Sequence, residues 1–200
     1  MTASKRFVSR AGDKLDHALA EFGIDVHDKR CADLGCNIGG FTDVLLQRGA
    51  TSVIALDTGY GTLAWTLRQD DRVDVRERTN ALHVPPPEDG VDLVVVDLGW
   101  TPQRRAIPAA MAWLTAGGDI VTLVKPHYEL DEPGRRTHLR NGVLDDETAD
   151  TVVTAAALAM ADLGLRVVAR TWSPIRGGKS SRGGRKGNLE ALLHLRRDTA

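Results

Sequence analysis

The sequence has only two cysteines among its 200 residues, Cys31 and Cys36, and no second cysteine pair. A disulfide framework or a cysteine-based metal site is therefore not expected, and we interpret both residues as reduced, buried thiols. The six histidines show no metal-ligand spacing either. No metal is predicted for this chain.

Long apolar runs are also missing. No run approaches the roughly 20 residues that a helix needs to span a bilayer, and the first ten residues lack the apolar stretch of a signal peptide. A cytoplasmic protein is the expectation. Apolar content of 42% and charged content of 26% are those of an ordinary soluble globule, and 200 residues are enough for one domain, which we assign to residues 1–200.

Charge of one sign is in little excess, since the net charge is only −1, but the cations are unevenly spread. Between Arg170 and Gly187 the chain carries six cations and no acid. Glycine and serine in this stretch disfavour independent packing, so an anionic partner such as an RNA backbone is the functional interpretation of Arg176 to Lys186. A solvated loop tip is the alternative, and the sequence leaves both open.

Helical and strand patterns alternate along the chain. Apolar residues at helical spacing follow Ser9, which we expect to cap the first helix. The predicted helices cover 11–22, 41–48, 63–69, 103–115 and 146–163. The predicted strands cover 30–34, 52–57, 72–76, 92–98, 119–125, 165–172 and 190–196. Alternating helices and apolar strands indicate a doubly wound α/β domain on a parallel sheet.

The stretch CADLGCNIGGFTDVLLQRGATSVIALD carries the clearest ligand signal: a strand, a glycine loop, a helix and a second strand that ends on an acid. Gly35, Gly39 and Gly40 permit a close backbone approach to a ligand, and Asp57 can accept both hydrogen bonds of a ribose diol. Both features fall at the carboxyl ends of parallel strands, where such sheets bind ligands. A nucleoside cofactor is therefore predicted there.

The identity of that cofactor is narrowed by an acid and by the glycine spacing. The spacing is GxxxGG rather than the GxGxxG of dinucleotide sites, and Asp33 precedes the first glycine by two residues. A carboxylate there would repel phosphate but suits an ammonium group. S-adenosylmethionine has an amino group, a sulfonium and a ribose diol without phosphate, and it fits. An ordinary turn whose glycines bind nothing remains the alternative.

Two charged residues end apolar strands, at the edge where the ligand is expected. Asp97 follows VVV and Lys125 follows TLV. A structural ion pair between neighbouring strand ends is one interpretation. The other is catalytic, because a partly desolvated lysine beside other cations can serve as a general base.

Seven blocks, in order along nearly the whole chain, resemble the FtsJ-like RNA methyltransferases of the haemolysin A (TlyA) type. The blocks are FVSRAGDKL (7–15), DLGCNIGGFTDVLLQRGA (33–50), ALDTGYGTLAWTLRQDDRV (55–73), ERTNA (77–81), VVVDLGW (94–100), LVKPHYE (123–129), and SPIRGG with GNLEALL (173–193). The resemblance implies a Rossmann-like class I methyltransferase with a mostly parallel sheet and helices on both faces. It also implies transfer of a methyl group from S-adenosylmethionine to a ribose 2′-hydroxyl of RNA, with ribosomal RNA as the suspected substrate.

The same resemblance implies a catalytic tetrad of lysine, aspartate, lysine and glutamate. The matching positions are Lys14, Asp97, Lys125 and Glu190, with Lys125 as the expected base. The cofactor-binding positions that it implies are Asp33, Gly35, Gly39, Gly40, Phe41, Asp57, Thr79, Asn80 and Asp97. Thr79 and Asn80 are expected on the adenine side.

Departures from the family pattern lie on the substrate side. The relatives usually begin with a small S4-like RNA-binding domain, whereas this sequence starts at the methyltransferase core, and the basic stretch is expected to replace that domain locally. DVSFIS of the relatives is here DLGWTP, and KPQFE is KPHYE. Two other functions therefore stay open: a methyltransferase for a small molecule or another acceptor, and a non-catalytic RNA-binding protein on the same fold.

Overall fold

A seven-stranded sheet runs through the computed structural model, which describes residues 6–178 and 187–198. Its strands are β1 (Arg30–Leu34), β2 (Ser52–Leu56), β3 (Val73–Arg76), β4 (Val91–Val96), β5 (Leu114–Val124), β6 (Leu165–Trp172) and β7 (Ala191–Arg197). The strand order is β3-β2-β1-β4-β5-β7-β6. All pairings are parallel except those of β7 with β5 and β6, which confirms the expectation of a mostly parallel sheet.

Helices cover both faces of the sheet, as expected for this fold class. They are α1 (Ala11–Phe22), α2 (Gly40–Gln47), α3 (Trp65–Arg68), α4 (Gln103–Ala112), α5 (Pro126–Glu129), α6 (Glu132–His138) and α7 (Asp146–Leu158), followed by a 3₁₀ turn at Ala161–Leu163. Along β4, Leu93 and Val95 join the apolar cluster under α1 and α2, while Val94 and Val96 join the one under α4 and α7. Burial on both faces explains why this strand is an unbroken apolar run.

The order of the strands creates a crevice beside β1. The chain extends the sheet outward from β1 through β2 to β3, then returns to the other side of β1 to form β4. The loops after β1 and β4 therefore diverge, and a ligand crevice opens between them at the carboxyl ends of the strands. Gly35 and Asp97 are the first residues of these two loops.

Close contact between α1 and α2 depends on glycine. A Cβ atom added at Gly40 would lie 2.8 Å from the backbone nitrogen of Gly12, too near for any side chain. The start of α1 can therefore rest directly on the start of α2, beside the glycine loop. This placement brings Lys14 of α1 to the carboxyl end of the sheet, where it is buried.

Element boundaries differ from the sequence-based expectation where the pattern is short or interrupted. The first helix begins at Ala11 after Arg10, so Ser9 is not its cap residue, although its hydroxyl accepts a hydrogen bond from the Ala11 N–H at 3.3 Å. The strand expected from residue 119 already begins at Leu114. The helices α5 and α6 were not predicted, because four and seven residues are too few to show helical periodicity.

Within residues 6–178 and 187–198, no helix combines the length and apolar character needed to cross a membrane. In the same ranges, no three side chains of histidine, cysteine, aspartate or glutamate are grouped so that they could hold a metal ion. Cys31 and Cys36 are free and buried, as interpreted from the sequence. Burial raises the pKa of the Cys31 thiol to about 12, which makes it an unreactive packing residue.

Candidate active site

A cavity of about 460 Å³ opens at the carboxyl ends of the strands. Its lining brings together residues that the sequence assigned to the cofactor and to catalysis: Gly35, Asp57, Thr79, Asn80, Asp97 and Lys125. A smaller adjoining cavity of about 50 Å³ shares Gly35 and Asp97 and is also lined by Gly40 and Phe41. One crevice thus holds most of the expected site residues.

The glycine loop shapes the wall between these cavities. Gly35 has a φ of +95°, and a Cβ atom there would lie 2.7 Å from the backbone oxygen of Asp97. Only glycine fits where the loops after β1 and β4 approach so closely. Gly39, with a φ of +99°, precedes the first residue of α2 and does not line either cavity. Its role in this structure is to turn the chain into the helix.

Asp57 lies at the end of β2 with its carboxylate fixed by backbone donors. One oxygen accepts from the Asn37 N–H at 2.9 Å, and the other accepts from the Gly59 N–H at 2.7 Å. Each carboxylate oxygen can accept more than one hydrogen bond. Asp57 is therefore oriented on the cavity wall and keeps acceptor capacity for a ligand hydroxyl.

Asp33 is placed differently from the other expected cofactor residues. It is fully buried and lines neither cavity. Oδ2 accepts from the Thr42 N–H at 2.9 Å and from the Thr42 hydroxyl at 2.7 Å, whereas Oδ1 has no hydrogen-bond partner in the described part of the chain. Burial raises the pKa of Asp33 to about 7, although the bonds from Thr42 oppose this change. Its visible role is to anchor the start of α2.

The four residues of the expected tetrad form two ion pairs. Lys125 pairs with Asp97, and its Nζ lies 3.5 Å from the backbone oxygen of Leu98. Lys14 Nζ lies 2.5 Å from Glu190 Oε2, and both side chains are more than nine-tenths buried. Such buried pairs hold charge at fixed positions, because separating them would leave an uncompensated charge.

Strand register brings the two pairs together. Val124 of β5 is paired with Ala191 of β7 in antiparallel register, so Lys125 and Glu190 are the next facing positions. Lys125 and Asp97 line the cavity, whereas Lys14 and Glu190 do not. The geometry therefore supplies one ion pair on the cavity wall and a second, buried pair that does not line the cavity.

Two aromatic residues near the cavity were not assigned a role from the sequence: Trp100 lines it, and Tyr128 lines a neighbouring depression. Trp100 is 78% exposed and has a φ of +58°, an unusual conformation for a bulky residue. Its ring centroid lies 4.8 Å from that of Tyr128, and Lys125 Nζ lies 5.9 Å from the Tyr128 ring. Each ring stands three positions after a strand-end charge, Asp97 or Lys125, and this spacing is the signal that could have identified them.

The basic stretch lies mostly outside the described residues, since 179–186 are not among them. Arg176, at its start, donates from both terminal nitrogens to the Asp146 carboxylate, at 2.8 and 2.6 Å. A third hydrogen bond from Arg176 reaches the Gly187 oxygen at 3.4 Å. Arg176 therefore ties this stretch to the start of α7.

Comparison with known proteins gives consistent results. The model of the family described as FtsJ-like methyltransferase matches residues 7–183. The chain is 42% identical over 206 residues to the 16S/23S rRNA (cytidine-2′-O)-methyltransferase TlyA of Mycobacterium tuberculosis. The alignment covers all of this chain and 72% of that protein. It is 37% identical to Hemolysin A of Brachyspira hyodysenteriae, over 95% of this chain and 77% of that protein.

Solved structures show the same likeness. A hemolysin-like chain from Streptococcus thermophilus superposes with a TM-score of 0.88 and 35% identity, over all of this chain and 70% of that one. An S-adenosylmethionine-dependent methyltransferase from Mesorhizobium loti superposes with a TM-score of 0.62 at 19% identity, over 90% of this chain and 96% of that one. The second likeness supports the fold alone.

Proposed function

The chain belongs to the FtsJ-like methyltransferase family, and on that premise we propose that it methylates a ribose 2′-hydroxyl of ribosomal RNA. It is an S-adenosylmethionine-dependent methyltransferase on a Rossmann-like class I fold. The relative from M. tuberculosis acts on the cytidine 2′-oxygen of 16S and 23S rRNA, and this supports the same class of acceptor here. We expect the reaction to occur in the cytoplasm.

The cavity suits this cofactor. Asp57 presents fixed carboxylate oxygens to a ribose diol, and the bare backbone of Gly35 allows close approach. Thr79 and Asn80 line the same cavity, which agrees with an adenine-side role. When bound there, S-adenosylmethionine supplies a methyl group already activated by a sulfonium charge. We also propose that Asp33, through its unpartnered oxygen, favours a cationic ligand at this loop.

The observation that carries the proposal is the Lys125–Asp97 ion pair on the wall of the same cavity as Asp57. In methyl transfer to a hydroxyl, the protein must align the acceptor oxygen and remove its proton. We assign removal of that proton to Lys125 Nζ, which Asp97 holds in place. The Lys14–Glu190 pair fixes the charges behind it.

An aromatic pair with one exposed ring, Trp100, fits a nucleobase acceptor better than a small polar metabolite. Sequence-specific RNA recognition commonly splays a base out of its stack and places it on an aromatic ring. Trp100, which lines the cavity, and Tyr128, which packs against it, offer such a surface next to Lys125. We propose that they support the base of the nucleotide whose ribose is methylated.

Transfer of a labelled methyl group from S-adenosylmethionine identifies the class of acceptor. We expect label in RNA when the protein is incubated separately with ribosomal RNA, a protein fraction and a metabolite fraction. The methylated nucleotide should resist alkaline hydrolysis, because that reaction needs a free 2′-hydroxyl. Label found solely in the metabolite or protein fraction would contradict the proposed substrate while leaving the methyltransferase assignment intact.

A further inference from the structure

Two segments lie beside the cavity: residues 97–102, which follow β4 and line it from 97 to 101, and residues 125–129, which follow β5 and line it through Lys125. We call them together the acceptor wall. They are joined at both ends and in the middle. The Lys125–Asp97 ion pair joins their beginnings, and the Trp100–Tyr128 ring contact joins their centres. At the far end, the Glu129 carboxylate accepts from the backbone N–H of Gln103, the residue that follows the wall.

We infer that Glu129 is a positioning residue that holds the acceptor wall closed by capping α4. This inference rests on the proposed function, because it concerns how the same site presents Tyr128 and Trp100 to an RNA acceptor. Glu129 itself lines no part of the 460 Å³ cavity and is not assigned any contact with the cofactor or the reacting atoms.

The contact has the geometry of a helix cap supplied from a distance. Both carboxylate oxygens of Glu129 lie close to the Gln103 nitrogen, at 3.0 and 3.1 Å, although the two residues are 26 positions apart. Pro102, which precedes α4, provides no side-chain cap. An anion at a helix N-terminus is favoured by the helix dipole and by the free N–H groups. Glu129 therefore replaces the local cap that proline cannot supply.

Gln103 is a firm anchor for this cap. Its side chain donates from Nε2 to the Leu123 oxygen at 3.1 Å and accepts from the Thr122 hydroxyl at 2.7 Å, so it is bound to β5 itself. Glu129 thus ties the end of α5 to a point that is fixed to the sheet. Loss of this tie would free the segment that carries Tyr128, and with it one half of the aromatic pair.

Burial of the Glu129 carboxyl group makes the tie sensitive to pH. Burial raises the pKa of Glu129 to about 7, while the Gln103 N–H and the charge of Arg104 oppose that change. The same depression as Glu129 is bordered by Asp131, by Glu132 and Arg135 of α6, and by Arg104 and Arg105 of α4. A second depression beside Glu129 is lined by residues of α7 and of the turn after it that are uncharged: Val152, Ala155, Ala156, Ala159 and Met160. His127 stays neutral near pH 7, because burial and then Lys125 lower its pKa to about 4.

Protonation of Glu129 is expected to weaken the cap on α4. Above about pH 7 Glu129 is ionised and caps α4 fully, and below it the protonated group is a weaker acceptor for Gln103. The acceptor wall should therefore loosen as the pH falls through about 7. Asp33 titrates in the same range, so the effect must be isolated by substitution rather than by pH alone.

The test combines amide NMR with kinetics on the wild type, Glu129→Gln and the control Glu132→Gln. Glu132 borders the same depression but pairs with Arg136 on the exposed face of α6. In the wild type and the control, we expect the Gln103 amide and the Trp100 indole signals to shift together with a midpoint near 7. In Glu129→Gln the chemical shifts of both signals should not change with pH near 7.

Kinetics should follow the same pattern. From about pH 8.5 to about pH 6, the KM for RNA should rise about tenfold in the wild type and stay high throughout in Glu129→Gln, while the S-adenosylmethionine affinity of Glu129→Gln equals that of the wild type at each pH. A Gln103 shift without a Trp100 shift, or equal pH profiles for wild type and Glu129→Gln, would overturn the positioning role. Coupled shifts in a protein that methylates no RNA would instead leave the positioning contact standing and refute the proposed function.

Discussion

Replacing Asp33 by asparagine should stabilise the protein above pH 7. Asp33 is fully buried, and burial raises its pKa from the ordinary 3.8 to about 7. A carboxyl group with a raised pKa costs stability as the pH rises from its unfolded value to its folded value. The difference between the two pKa values corresponds to a loss of about 4 kcal/mol in the free energy of unfolding as the pH rises from about 4 to about 7.

The stabilisation by Asp33→Asn should be smaller than this loss of about 4 kcal/mol. Asparagine can still accept the two bonds from Thr42, but its amide nitrogen would occupy the position of Oδ1, which has no partner in the described part of the chain. An unsatisfied buried donor costs about 1–3 kcal/mol. A net stabilisation of about 1–3 kcal/mol above pH 7 is therefore expected, falling and then reversing toward pH 4.

Urea unfolding followed by circular dichroism measures the free energy of unfolding of Asp33→Asn and of the wild type, each at about pH 4.5, 6, 7 and 8. Glu129 also has a raised pKa and contributes a loss of the same sign, but it is present in both proteins and cancels in their difference. The reasoning is refuted if the difference in unfolding free energy between Asp33→Asn and the wild type does not change with pH over this range.

Three further outcomes are expected. Asp57→Ala should weaken S-adenosylmethionine binding about tenfold or more in calorimetric titration, since a charge-assisted acceptor is lost, and unchanged affinity would mean that the cofactor site is misplaced. Trp100→Ala should raise the KM for RNA about tenfold without changing cofactor affinity, and an unaltered KM would remove the stacking role. Replacing Arg182, Arg185 and Lys186 by serine should flatten the log–log salt dependence of RNA binding by up to about 2, and equal slopes would favour a solvated loop tip.

The sheet was predictable because its strands are unusually uniform. Burial on both faces favours apolar residues in the second halves of β4 and β5, and the charged residues that follow these strands, Asp97 and Lys125, mark the crevice. The Asp97 and Lys125 positions therefore follow from strand pattern alone. The sequence left two interpretations of these residues open, a structural ion pair and a catalytic role. The structure shows the ion pair, and it lies on the cavity wall, where it can also act on a ligand.

Other features could not be read from the chain, because they depend on contacts between distant segments. Nothing local to Glu129 indicates that it caps a helix 26 residues earlier. The helix α5 has four residues, too few for periodicity. Asp33 was expected to face the ligand, yet the Thr42 bonds turn one of its oxygens toward α2, and only the three-dimensional arrangement reveals this.

The most direct test of the central claim is the turnover of Lys125→Met on ribosomal RNA, measured beside its cofactor affinity. We expect a loss of about 100-fold or more in 2′-O-methylation, with S-adenosylmethionine binding close to that of the wild type, because the Lys125 side chain acts on the acceptor hydroxyl. Lys29→Met, which removes a lysine that lies 3.9 Å from Asp119, is the matched control and should keep full turnover. If folded Lys125→Met retains more than about a tenth of wild-type turnover, Lys125 is structural and the proposed proton transfer is wrong.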